Sequence, residues 1–97
     1  MKTIFKYPVP MEDEFEIMLP RGTEILSVQV QRGKPYFWAL VDQDEKKSAY
    51  RKFRLAGTGH PIDWNNDYRF IGTFQLDGGN LIFHLFEISS RLRLVDL

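Results

Sequence analysis

The run from Glu24 to Asp42, EILSVQVQRGKPYFWALVD, leaves this chain little freedom in its local structure. Its first limb alternates, with Leu26, Val28 and Val30 set against Ser27, Gln29 and Gln31, the period-two pattern of a β-strand. The second limb, Tyr36 to Val41, is apolar on both faces, with Tyr36, Trp38 and Leu40 opposite Phe37, Ala39 and Val41. Between them, Arg32-Gly33-Lys34-Pro35 is a short polar turn in which Gly33 takes the positive φ of a tight reversal. Together these features predict a β-hairpin.

A second hairpin follows from Tyr68 to Leu76 and Asn80 to Ile88, joined by Asp77-Gly78-Gly79. Asp-Gly between alternating apolar runs is among the strongest local hairpin signals. The pattern sets Tyr68, Phe70, Phe74 and Leu76 on one face, with Gly72 leaving room for a neighbour. In the return strand, Leu81, Phe83 and Leu85 oppose Ile82, His84 and Phe86. Shorter strands are predicted over Thr3–Tyr7, an edge strand stopped by Pro8 and Pro10, and over Phe15–Leu19, stopped by Pro20-Arg21-Gly22. Ala49 to Ala56 alternates again and gives one face carrying Tyr50, Lys52 and Arg54, while Arg51 turns inward with Phe53. The tail from Ser89 alternates weakly, and Leu94, Val95 and Leu97 near its end suggest a last strand or pairing with a second copy, a homodimer. The fold expected is all-β: a single small antiparallel β-sandwich or barrel-like domain of about seven strands, spanning residues 1–97.

The composition narrows the function classes. An apolar fraction of 43% with 14% aromatic residues is that of a folded chain and not of a disordered one. Thirteen basic residues balance 13 acidic ones, so no net field draws the chain to nucleic acid, which makes nucleic acid an unlikely partner. The chain has no cysteine, hence no disulfide and no thiolate nucleophile. No run approaches the ~18 apolar residues of a membrane span, and the start lacks a signal-peptide core, so a cytosolic, non-membrane protein is expected. The acids at Glu12, Asp13, Glu14 and Glu16 lack the glycine and oxygen spacing of a calcium loop and read as edge protection.

Potential site residues concentrate in the irregular segment from Gly57 to Asp67. Gly57, Thr58 and Gly59 let successive backbone N–H groups point into one concavity, which suits an anion. His60 is a donor or base, Trp64 offers a flat face for a nucleobase, and Lys52 and Arg54 lie on the adjoining strand. The bland alternative makes the glycines a wide turn, His60 a strand cap and Trp64 a plug. The segment lacks the third glycine and following helix of a dinucleotide-binding loop. His60, Asp63 and His84 have no zinc-ligand spacing, and His84, between apolar neighbours, reads as a histidine satisfied by a backbone carbonyl.

The segments ILSVQVQRGKPYFWALVD, RKFRLAGTGHPI and YRFIGTFQLDGGNLIFHLFE, in this order, resemble a family of small uncharacterised proteins encoded by tailed bacteriophages and prophages. The resemblance runs from the Lys6-Tyr7-Pro8 start to Phe86-Glu87 and is carried most visibly by Trp38, Gly57, Gly59, His60 and Pro61. It implies a small non-structural phage product made in the host bacterial cytoplasm, and it brings no catalytic residues. The expectation is a non-enzymatic accessory protein, with no cofactor, that binds a host factor or a small anionic, nucleotide-like ligand and so blocks host antiviral defence. The ligand-binding candidates are Lys52, Arg54, Gly57, Thr58, Gly59, His60 and Trp64. A virion or assembly-associated β module is the alternative. A nucleotide hydrolase is less expected, because the chain has no cysteine, no G-x-S-x-G, no metal cluster and only 2 histidines.

Overall fold

The computed structural model describes residues 1–90. The tail residues Leu94, Val95 and Leu97, on which the homodimer expectation drew, lie outside the described residues. Seven strands follow in order: β1 (Lys2–Pro8), β2 (Glu14–Pro20), β3 (Glu24–Gln31), β4 (Lys34–Asp42), β5 (Ser48–Gly57), β6 (Asn66–Leu76) and β7 (Leu81–Ser90). They form two antiparallel sheets, one of three strands in the order β1-β4-β3 and one of four in the order β2-β5-β7-β6. The sheets pack as a small sandwich, the all-β architecture expected.

Both hairpins form where the sequence places them. Arg32 (φ 54°) and Gly33 (φ 79°) make a two-residue turn with two left-handed residues, and Lys34 and Pro35 already belong to β4. Asp77, Gly78 and Gly79 all have positive φ in a short 3₁₀ turn. Strand β4 is the centre of its sheet, and its two apolar faces explain themselves. Phe37, Ala39 and Val41 are buried inward, while Tyr36, Trp38 and Leu40 lie half-buried outside.

The core is threaded by a row of rings. Phe15 stacks on Phe53 (5.2 Å), Phe53 on Phe37 (5.4 Å) and Phe37 on Tyr7 (5.1 Å), so the row passes from β2 and β5 to β4 and β1 and ties the two sheets together. Burial pushes the Tyr7 phenol above its ordinary pKa. Arg51 turns inward as its alternation implies, and its guanidinium pairs with Glu87 on β7.

Two β-bulges change which residues face the core. Leu26 is the extra residue between Ile25 and Ser27, and Ile71 the extra residue between Phe70 and Gly72. Each bulge flips the alternation. Ile25 and Val28 therefore point inward while Leu26 is exposed, contrary to the simple alternation read from the sequence. Likewise Tyr68 and Phe70 leave the face of Phe74 and reach the outer surface.

The bulges adjoin at a seam where β3 lies against β6. A Cβ on Gly72 would sit 2.8 Å from Val28 Cγ1, with the Val28 backbone 3.9 Å away. A valine is stiff at χ1 and cannot swing clear. Gly72→Ala is expected to cost about 1–3 kcal/mol of stability by overpacking, and Val28→Ala in the same chain to restore part of it. Urea denaturation of the single and double variants checks this; an unchanged midpoint for Gly72→Ala would show that the seam yields freely.

Candidate functional site

Strand β5 ends at Gly57, and the chain reverses in a tight turn before crossing to β6. The Thr58 N–H donates to Ile82 O (3.1 Å) and the His60 N–H to Gly57 O (3.0 Å), while Gly59 takes φ +87°. The segment then lies over the outer face of the four-stranded sheet. Arg54 donates from its guanidinium to Pro61 O (2.9 Å), and the Tyr68 hydroxyl donates to Asp63 O. Trp64 stacks on Tyr68 at 4.5 Å and 22°, and meets Phe86 edge-on at 6.3 Å and 90°. Phe86 in turn packs against Phe70 at 5.5 Å. Beneath this cover Ala56 and Ile88, both on the outer face, are buried at 2% and 8% exposure.

At the mouth of this turn lies an open cleft of about 290 Å³. Gly57, Thr58 and His60 line one side of it, and the run from Asn80 to Phe83 lines the other. The two sides meet because β5 pairs with β7, Gly57 lying opposite Phe83. The His60 ring packs directly over Gly57: a Cβ there would fall 2.8 Å from both Cε1 and Nδ1 of the imidazole. Glycine at this position is what lets the ring lie down on the strand end.

A polar chain supports the cleft from behind. Thr58 Oγ1 lies 2.8 Å from His84 Nε2, and His84 Nδ1 lies 2.8 Å from Thr73 Oγ1. His84 is thus half-buried and satisfied, but by two hydroxyls and not by the backbone carbonyl expected. With one ring N–H in the neutral imidazole, one threonine accepts from the ring and the other donates to it. The Thr58 hydroxyl is therefore held in place at the cleft wall.

The sequence-derived candidates divide between two places. Gly57, Thr58 and His60 converge on the cleft, and Gly59 shapes the turn that carries them. Lys52, Arg54 and Trp64 lie on the outer face away from the cleft lining. Lys52 reaches Glu14 on β2 (3.7 Å), an exposed pair of little energetic weight. Arg54 holds the loop through Pro61, and its Nε is buried without a hydrogen-bond partner. Glu14 and Glu16 stand opposite Arg54 and Lys52 in the β2–β5 ladder, so this face carries both signs of charge. Asn80, Leu81, Ile82 and Phe83 were not singled out as site residues from sequence. Their signal, the pairing of β5 with β7, is not local. Among the described residues no group of three or more His, Asp or Glu side chains gathers to hold a metal ion, nor is any helix long and apolar enough to cross a membrane.

No curated protein matches the chain. No solved structure matches it either. A family model described as a domain of unknown function, DUF7352, matches residues 1–93, and the chain belongs to that family.

Proposed function

We propose that this protein is a non-enzymatic binding protein that takes a small nucleotide-like ligand at the cleft beside the β5–β6 loop. In this reading it is an accessory product of a tailed phage or prophage that works in the host bacterial cytoplasm and sequesters a nucleotide signal of host antiviral defence. The observation that carries the binding assignment is the convergence of Gly57, Thr58 and His60 with Asn80–Phe83 around one cleft. Its volume of about 290 Å³ is near the lower bound of small-molecule sites, about 300 Å³, and suits a compact ligand. Its walls combine apolar side chains with a few fixed polar groups, the usual make-up of such sites.

The test is a thermal-shift screen of the purified protein against nucleotides, cyclic nucleotides and ADP-ribose derivatives. A ligand present at a hundredfold excess over its Kd stabilises the fold by about 2.7 kcal/mol. For a domain of this size that raises the midpoint by roughly 4–8 °C per kcal/mol. The shift should vanish in His60→Ala, and also in Gly57→Ala, whose new methyl displaces the imidazole while leaving the strand intact. A wild-type screen flat against every compound overturns the assignment.

A second reading rests on the outer aromatic face. Trp64 and Phe70 are 55% and 57% exposed although both are packed against neighbouring rings. Exposed aromatics held in one orientation are the side chains that anchor protein interfaces. A host protein partner would use this surface, and loss of its capture in Trp64→Ser or Phe70→Ser, with His60→Ala unaffected, would assign it there.

A further inference from the structure

We infer that the cleft reads the uncharged heterocycle of its ligand and not its phosphates. This inference rests on the small-ligand reading above and narrows it.

Strong phosphate recognition draws chiefly on free backbone N–H groups and cations. The turn at Gly57–His60 has the glycine spacing of an anion nest, but two of its N–H groups are engaged. Thr58 N–H bonds Ile82 O, and His60 N–H bonds Gly57 O. None of the cleft-lining residues is lysine or arginine. The nearby cations on β5 are directed elsewhere, Arg54 to Pro61 O and Lys52 to Glu14. A carboxylate stands near the mouth as well, because Asp77 Oδ2 lies 3.4 Å from the Asn80 side-chain amide. The remaining polar groups of the lining are side chains without a fixed positive charge, which offset only part of the cost of stripping water from a phosphate.

The same lining fits the edge of a nucleobase. A base presents neighbouring hydrogen-bond donors and acceptors on one planar edge and apolar faces above and below. The Asn80 carboxamide supplies a donor and an acceptor, and the His60 imidazole adds a further polar contact. Phe83 and Leu81, on one face of β7, supply the apolar wall. The Thr58 hydroxyl completes the set, and the His84–Thr73 chain behind it extends its range. With the imidazole proton on Nδ1, Thr58 donates to Nε2 and offers lone pairs to the ligand. With the proton on Nε2, Thr58 accepts from the ring and turns its own hydrogen toward the ligand. A tautomer change in His84 therefore adapts one fixed hydroxyl to either type of base atom, with no movement of the backbone.

The experiment titrates the full chain calorimetrically with adenosine, guanosine, cytidine and uridine, with their 5′-monophosphates, and with ribose 5-phosphate, each at low and high salt. The expected result is that at least one nucleoside binds as tightly as its monophosphate, that ribose 5-phosphate does not bind, and that salt leaves the affinity unchanged. Thr58→Val should weaken that nucleoside about tenfold, the loss of one hydrogen bond. Asn80→Ala should weaken it as well, and because both side chains are exposed at the cleft the variants keep the fold. Binding confined to phosphate-bearing compounds and falling as salt rises overturns the inference while leaving a nucleotide-binding protein. Absence of binding by nucleosides and nucleotides alike overturns this inference, and joined to a flat thermal-shift screen it overturns the proposed function as well.

Discussion

Phe53→Ala is expected to remove about 3–5 kcal/mol of folding stability, a large part of the ~5–15 kcal/mol that holds a domain of this size together. Phe53 is fully buried, and it joins the two sheets, stacked on Phe15 at 5.2 Å and on Phe37 at 5.4 Å. Truncation loses the transfer free energy of the ring and leaves a cavity between three strands that are held apart by their own ladders. The sandwich cannot collapse into that space without breaking the pairing of β5 with β2 and β7. Phe53→Leu should cost considerably less, because most of the apolar volume remains. Urea denaturation of the three proteins measures this, with the slope of the transition reporting whether the folded state stays compact. A Phe53→Ala loss below about 1 kcal/mol, less than burial alone predicts, would show that the ring row does not join the sheets.

Glu87→Ala is the second large effect, at about 3–5 kcal/mol, and its origin is electrostatic. The Arg51 guanidinium grips Glu87 with two nitrogens, and its third contact is a hydrogen bond to Thr23 O at 2.8 Å. Both side chains are largely removed from water, at 21% and 14% exposure. Thr23 itself is buried and donates its hydroxyl to Pro20 O, so the cation also anchors the β2–β3 turn. Removing the carboxylate leaves a guanidinium between the sheets with only a carbonyl to hold it. Removing both charges is a different matter, because replacing a buried ion pair by apolar residues of similar volume is often neutral or stabilising. The double variant Arg51→Met with Glu87→Leu should therefore regain most of what Glu87→Ala loses. If the double variant is as unstable as the single one, the Thr23 contact and not the ion pair is the stabilising element.

Local chemistry made much of this fold legible in the sequence. Arg32-Gly33 and Asp77-Gly78-Gly79 fix two hairpins through residues that tolerate positive φ, and the two-sided apolar pattern of β4 marks the centre of its sheet. The inward turn of Arg51 was readable from its alternation with Phe53. Apart from the room that Gly72 leaves, now filled by Val28, what escaped was decided by distant parts of the chain. The bulges at Leu26 and Ile71 lie where β3 meets β6, and no residue type at either position announces them. They exchange Leu26 for Ile25 in the core and put Tyr68 and Phe70 on the outer face of their sheet. The candidate site shows the same division. Gly57, Thr58 and His60 could be chosen because their turn chemistry is local. Asn80–Phe83 could not, because they reach the cleft only through the β5–β7 ladder. Arg54 looked like a free cation on a solvated strand face, and only the returning loop shows its guanidinium bound to Pro61 O.

The order β2-β5-β7-β6 also has a kinetic meaning. The β3–β4 and β6–β7 hairpins join neighbours in the chain, and such units close on the order of microseconds. Strand β5 has no partner adjacent in the chain: it must find β2 across the whole first hairpin and β7 across β6. Each encounter orders a long loop before any contact compensates for the lost entropy. Strand β5 is thus expected to dock after the two hairpins close, and its arrival brings Gly57 and Thr58 to the cleft. A chain with both hairpins formed but β5 undocked would hold most of its secondary structure and no binding site at all.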